Sequence, residues 1–344
     1  MKKKIAVTSA VVLILALTIM GCGNKIKKKQ QNNTSVKSKA ANSAVYKNHK
    51  DTQTKDPNAP KVYMTTHITP DGLIAVYKAL KRPAEGKVAI KLTVGEPGDT
   101  YYLSPSLIKK FTLLVKGTFV DSNTAYGGKR TETAMHKEVA KEHGFTKYTS
   151  FDVLDADGGA VSLPVKNGEH LKEDKVGSHY KNYDFIIVLS HFKGHPMAGF
   201  GGAIKNMSIG FAIPSQKNLI HTAGKSTDFI ESADHDSFLE SMAEAAKAVA
   251  DDRGKNILYI DIMNNLSVDC DCVSTPAIPT MKNIGILASF DPVALDKACV
   301  DQVYRAPDGK DLIERMESLN GIHVLDYAQK IGLGSEEYNL VKLK

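Results

Sequence analysis

The run Phe185-Ile-Ile-Val-Leu189, inside the stretch from Tyr183 to His221, constrains this chain more than any other feature. It is short, rich in branched apolar residues and free of polar alternation. Such a run predicts a strand buried on both faces, as in a parallel sheet. It stops at Ser190-His191, and the residues from there to His221 are dense in Gly, His and Lys. Polar side chains just past the carboxyl end of a buried parallel strand stand where open α/β sheets bind their ligands. One stretch thus predicts both a fold and the place of a site.

The rest of the chain repeats strand, polar loop and helix. Strands are expected at residues 61–65, 87–94, 118–121, 256–263 and 284–287, with a strand-like end at 338–343. Helices are expected at 71–81, 132–142, 237–252 and 291–303, and two short ones near the end. Ser104-Pro105 makes an N-cap and first position for a further helix to Lys116, stopped by Gly117. Residues 147–182 suggest a small β excursion turning at Asp157-Gly158-Gly159. The pattern predicts an α/β fold, a mostly parallel sheet with flanking helices, built as one body or as two lobes around a central cleft.

The first residues stand apart from this fold. Lys2, Lys3 and Lys4 precede an apolar run at 6–20, short for a bilayer, which ends in Ile19-Met20-Gly21-Cys22. The layout is that of an export signal over residues 1–21. Its last four residues resemble a bacterial lipobox, which implies cleavage before Cys22 and a lipidated thiol that anchors the chain to the membrane. An uncleaved anchor helix is the other reading, and both put the folded part outside the cytoplasm. Residues 22–59 read as a flexible Lys-, Asn- and Ser-rich linker, and 60–344 as the α/β domain.

Charge supports this division. Residues 1–50 hold 11 Lys and no Arg, Asp or Glu, so removing them takes the formal charge from +7 to −4. The linker lysines suit anionic headgroups. The folded part has no basic patch interleaved with aromatics, so nucleic acid is not an expected partner. With Cys22 assigned to lipid, Cys270, Cys272 and Cys299 remain, which is not a disulfide framework. Cys299 lies among apolar helix positions and is expected to be buried and inert.

Candidate chemistry gathers at the predicted strand ends. His191, Lys193 and His195 follow the central strand within five residues, and neutral imidazoles ligate metals or move protons near neutral pH. Gly199, Gly201, Gly202, Lys205 and Asn206 read as a phosphate cradle at a helix N-terminus, or as a tight crossover needing φ > 0. Lys205, just inside that helix, suits an anion partner or a covalent nucleophile. If strand conformation continues through Cys270 and Cys272, their thiols share one face about 7 Å apart and suit one soft metal. Lys91 interrupts an apolar strand and needs a partner, Glu96 or Asp99, while Asp121, Asn123, Tyr126 and Arg130 crowd the next strand end. Asp291 is expected to cap its helix, with Asp296 one turn later facing the same cleft.

These motifs, VAIKLTVGEPG at 88–98, FVDSNTAYGGKR at 119–130, SHFKGHPMAGFGGAIKN at 190–206, CDC at 270–272 and ILASFDPVALDKACVD at 286–301, resemble domain-of-unknown-function family 362, often labelled uncharacterised iron–sulfur proteins. The resemblance covers roughly residues 60–330 and implies no settled activity. Many members carry a cysteine-rich ferredoxin insert after the segment matching 217–225, whereas residues 225–238 here contain no cysteine. An iron–sulfur cluster is therefore not expected. His195, Lys205 and His221, spaced by ten and sixteen residues, are also similar to the lactate racemase family. That likeness implies a lysine carrying a nickel-pincer nucleotide, a later histidine on nickel and an earlier one moving a proton.

The combined expectation is a metal- or cofactor-dependent enzyme or redox accessory, exported and lipid-anchored. His195, Lys205 and His191 would serve catalysis. Lys91, Asn123, Gly201, Gly202 and Asn206 would hold a cofactor or small-molecule ligand, and His221, Cys270 and Cys272 a metal ion. The alternative is a non-catalytic lipoprotein that binds a small molecule or metal.

Overall fold

The structure, a computed structural model, describes residues 49–228 and 233–344. The expected export signal and lipobox, and the expected linker up to residue 48, lie outside the described residues. In chain order the first half gives β1 (Lys61–Thr65), α1 (Pro70–Ala79), β2 (Val88–Lys91), α2 (Pro105–Val115), β3 (Thr118–Asp121), α3 (Thr133–Glu142), β4 (Phe151–Val153), β5 (Ala160–Pro164) and β6 (Glu173–Gly177). The second half gives β7 (Phe185–His191), β8 (Lys193–His195), β9 (Gly199–Gly201), α4 (Ala203–Phe211), α5 (Pro214–His221), α6 (His235–Arg253), β10 (Ile257–Met263), β11 (Gly285–Ser289), α7 (Pro292–Arg305), α8 (Lys310–Ser318), α9 (His323–Lys330) and β12 (Asn339–Lys342).

Eight strands form one sheet in the order β12-β1-β11-β10-β7-β2-β3-β4. All neighbours in it are parallel except the two pairs made by β11, which alone runs against the rest. From β2 the chain steps outward through β3 to β4, then returns to place β7 on the other side of β2. That reversal opens a crevice outside the carboxyl ends of β2 and β7, where parallel sheets take ligands. The described residues fold as one unit, which decides for one body over two lobes.

Every residue of β7 is buried because helices cover both faces of the sheet. On one face Leu73, Val76 and Phe111 from α1 and α2 pack with Ile90, Ile187, Leu189 and Ile260. On the other lie α4 and α7, against β7, β10 and β11.

Several expectations are corrected. The strand runs two residues further, so Ser190 and His191 belong to β7, while β2 stops at Lys91 rather than residue 94. The glycine-rich stretch adds elements beyond those expected: β8 and β9 pair as a small antiparallel hairpin, and α5 follows α4. The excursion at 147–182 contains the β5–β6 hairpin, but β4 joins the main sheet. Ser104 holds the N-cap position without a capping bond, its hydroxyl meeting Ser106 instead. The left-handed residue ending α2 is Lys116, φ 51°, whereas Gly117 is required by packing: a Cβ there would lie 2.5 Å from Ile90 Cδ1. Residues 49–58 are docked and not linker, with His49 stacked on Tyr304 at 3.8 Å and Thr54 donating to the Tyr338 carbonyl at 2.8 Å.

The crevice is held by a buried polar bracket. Lys91, on the α4 side of β2, meets Asp121 Oδ1 at 3.0 Å, Asn206 Oδ1 at 2.9 Å and the Leu92 carbonyl at 3.3 Å, which uses its three N–H donors. Asp121, not Glu96 or Asp99, is thus its partner. The Asn206 amide donates in turn to the Lys91 and Leu189 carbonyls and to Ser190 Oγ, each at 3.2 Å, and ties α4 to β2 and β7. Gly210 makes room for this lysine, since a Cβ would lie 2.4 Å from its Nζ. Burial alone would raise the Asp121 pKa, but Lys91, His136 and Arg130 outweigh it and hold the carboxyl well below its usual range.

Asp121→Asn leaves Lys91 and Arg130 buried without this charge and is expected to cost about 3–5 kcal/mol in urea unfolding at pH 7. Because the folded-state pKa is depressed, the contribution is present above the ordinary carboxyl value of about 3.9 and is lost as pH falls below it. The gap between native and variant should therefore narrow in acid. A gap that is constant from pH 7 to pH 3 would assign the loss to packing.

Candidate functional site

A cavity of about 300 Å³ opens at this crevice. Lys91, His191, His195, Gly201, Gly202, Lys205, Asn206, His221, Cys270 and Cys272 all line it. Asn123 does not. It sits behind the wall, donating to Thr133 Oγ1 at 3.0 Å and standing 3.4 Å from His136 Nδ1.

The loop after β10 brings both thiols here. Strand conformation ends at Met263, and Cys270 sits in a turn closed by Val273 N–H on its carbonyl at 3.0 Å, so the extended geometry read for CDC is corrected. Asp271 does not line the cavity and is clamped by His191 Nδ1 at 2.9 Å and Lys193 Nζ at 2.8 Å. His191 Nε2 meets the Asn264 carbonyl at 2.6 Å. Both of its ring nitrogens therefore face protein acceptors, and the geometry gives His191 a holding role. Gly194 lets the loop approach β8, since a Cβ there would lie 2.2 Å from the Val268 carbonyl oxygen.

His195 and His221 are fixed as opposite tautomers by backbone groups that can only donate or only accept. His195 Nδ1 accepts from Met197 N–H at 3.1 Å and Ala198 N–H at 2.9 Å, so the neutral ring carries its hydrogen on Nε2. That nitrogen faces Cys272 Sγ at 4.0 Å. His221 Nδ1 instead lies 2.6 Å from the Lys217 carbonyl and must donate to it, which leaves the lone pair on Nε2. Burial, with Lys205 adding for each, takes both imidazoles down to about 4, so both are neutral at pH 7. The hydrogen bond from Cys272 holds the Cys270 thiol well below its ordinary range against burial, helped by Lys205 and His195. Cys272 is pushed up in return, so the pair shares one proton.

Donor atoms of His195, Cys270 and Cys272 lie within 4.8 Å of one another, and His221 is outside that group. The set expected from sequence, His221 with the two cysteines, is corrected on that point. Yet the His195 tautomer presents N–H, not a lone pair, to the thiols. The residues fit a soft ion held by two thiolates, with His195 as hydrogen-bond donor beside them and not as third ligand. A second group, Glu169, His170 and Glu240, is already satisfied by the His170–Glu240 pair at 2.7 Å.

The glycine motif is also reassigned. Asp296, reaching over from α7, accepts from Ala203 N–H at 2.7 Å and Ile204 N–H at 3.0 Å. A Cβ on Gly202 would lie 2.4 Å from its Oδ1. The N-terminus of α4 is therefore filled by the chain's own carboxylate, and a phosphate would have to displace it. Gly199 carries the positive φ of 77° that the crossover reading called for. Lys205 is half-buried, and its amine makes no hydrogen bond or ion pair among the described residues. Asp291 caps α7 through Ala294 N–H at 2.9 Å, and Cys299 is buried with its thiol 3.6 Å from Asp261.

Sequence reasoning missed the clamp of Asp271 by Lys193, and missed Lys217, a buried lysine that lines the cavity. Spacing could have found the latter: Lys217 precedes His221 by four residues, one helical turn, on one face of α5. Arg130 is spent internally on Glu96 at 2.7 Å, Thr93 at 2.9 Å and Tyr126 at 2.6 Å.

No curated protein matches the chain. Among solved structures, the lactate racemase apoprotein from Thermoanaerobacterium thermosaccharolyticum is 14% identical over 58% of this chain and 50% of its own, with a TM-score of 0.36. A crystal structure of a protein from Thermotoga maritima is 11% identical over 73% of this chain and 58% of its own, with a TM-score of 0.41. The chain thus spans half to three fifths of their lengths, and likeness this distant assigns nothing to the site. The family model described as Domain of unknown function (DUF362) matches residues 88–301, from the first residue of β2 to the middle of α7 and across every strand end of the crevice. This chain belongs to that family of unknown function.

Proposed function

We propose that the crevice is the active site of a metal-dependent enzyme acting on a small anionic ligand, carried on a lipid anchor outside the cytoplasm. One observation carries the reading. A thiol pair, a half-buried lysine with no carboxylate against it and two neutral imidazoles all line one cavity at the sheet's switch point. Lys91, Arg130 and Lys193 in the wall are neutralised by Asp121, Glu96 and Asp271, so they shape the cavity, and Lys205 is left to meet the anionic end of the ligand.

Cys270 and Cys272 would hold a soft metal ion, which supplies Lewis acidity or electron transfer when bound. His195 donates its Nε2 hydrogen to a sulfur or to an oxygen of the ligand. His221, kept neutral by burial, moves a proton beside the ligand, and Lys205 binds the anionic end. The anchor through Cys22 rests on the lipobox-like Ile19-Met20-Gly21-Cys22. The non-catalytic lipoprotein would show itself by tight, reversible binding with no turnover of any bound compound.

Elemental analysis and native mass spectrometry of the full chain after anaerobic titration with Zn²⁺ or Cu⁺ test the metal. Cys270→Ser and Cys272→Ser are each expected to abolish retention. His195→Ala should lower affinity by only about 10- to 100-fold, as loss of a partner that hydrogen-bonds a ligand does. Equal retention by the native chain and both cysteine variants would sink the metal reading.

Lys205→Ala is expected to abolish binding of a small carboxylate in calorimetry while circular dichroism and Tm stay unchanged. A variant that unfolds would make the lysine structural. For the anchor, the native chain should partition with membranes and incorporate labelled fatty acid, and Cys22→Ser should do neither. Membrane retention of Cys22→Ser would favour the uncleaved helix.

A further inference from the structure

Lys217 is a buried lysine whose charge the fold does not neutralise. It lies on α5, is 6% exposed and lines the cavity. Its Nζ donates to the Ala212 carbonyl, and no carboxylate stands within ion-pairing distance of it among the described residues. The groups around it explain why. Asp121 on β3 is committed to Lys91 on β2, with Arg130 and His136 close behind. Asp155, after β4, accepts the Asn123 N–H at 2.9 Å. Asp174 on β6 is fully buried, and burial pushes it up to about 8 despite Lys217 and Gln216, so at neutral pH it holds its proton and offers no charge. Burial, with Lys91 and Arg130 adding to it against Asp121 and Asp155, brings Lys217 itself down to about 8.

An amine desolvated in this way, with other cations beside it, is the lysine type that attacks carbonyl groups. We propose that Lys217 is a carbonyl-trapping nucleophile, and that the cleft takes a small carbonyl compound bearing an anionic group, held at that end by Lys205. This rests on the reading of the cleft as a site for anionic ligands and names their class. The neutral amine adds its lone pair to the carbonyl carbon, and the C=O π pair moves to oxygen. That oxygen takes up both amine hydrogens and leaves as water. A C=N bond to Lys217 Nζ remains, and no oxidant or reductant is consumed. His221, one turn on along α5, lines the same cavity and donates through Nδ1 to the Lys217 carbonyl.

The test uses the full native chain, glyoxylate as probe and cyanoborohydride to reduce the imine to a stable carboxymethyl group, located by peptide mass spectrometry. A lysine titrating near 8 has about a hundredfold larger neutral fraction at pH 8 than an ordinary one. Lys217 should therefore be modified about a hundredfold faster than exposed Lys137, with half-maximal rate near pH 8 and protection by excess acetate. Lys217→Arg, which keeps the charge, should lose the adduct. An adduct on Lys205, or none while calorimetry still detects bound glyoxylate, overturns the nucleophile and leaves the anionic cleft standing. Neither adduct nor binding overturns both.

Discussion

Lys91 and Asp121 meet at 3.0 Å in a place where neither tolerates being alone. Both are almost wholly buried, and a single buried charge costs several kcal/mol, about 3–5 when its partner is removed. The pair therefore fixes where β2 must end relative to β3. Asn206 extends the constraint to β7 and α4 by filling its own donors with the Lys91 and Leu189 carbonyls and Ser190 Oγ. The crevice at the switch point is consequently rigid and polar before any ligand arrives. Gly210, with no side chain to clash with Lys91 Nζ, is the small residue this arrangement depends on.

Around this bracket the chain sorts its ionisable groups into two sets. Arg130, Lys91, Lys193 and His191 are saturated by Glu96, Asp121 and Asp271, and serve as walls. Lys205, Lys217, His195 and the thiol pair keep some chemistry uncommitted. Backbone groups do the sorting for the histidines. Two amide N–H groups turn His195 into a donor toward sulfur, and one carbonyl turns His221 into a lone-pair donor. Two imidazoles in one cavity thus present opposite functions without either carrying charge, because burial disfavours both imidazolium forms.

The anion site expected at the glycine-rich turn shows how such a motif misleads. A helix N-terminus attracts negative charge whether that charge is a ligand or a neighbouring residue. Here Asp296 from α7 arrives first, and Gly202 is small so that it fits. Spacing within 199–206 cannot tell these cases apart, since the deciding carboxylate lies ninety residues away in the chain.

Short-range patterns were sufficient for much of this protein. The continuous apolar run of β7, the apolar stripe of α1 and the Asp291-Pro292 start of α7 are local, so the α/β class and most elements were legible from them. So was the pooling of His, Lys and Cys at strand ends, because parallel strands all deliver their carboxyl ends to one side. Pairing was not legible. Which acid neutralises Lys91, that His195 and not His221 faces the thiols, that Asn123 stands behind the wall and that Lys217 lines the cavity all depend on contacts between distant segments. Residue types determined that a charged, thiol-bearing site would exist. Only the tertiary structure decided which charges cancel and which stay available, because a buried charge takes the nearest partner in space and sequence does not record that distance.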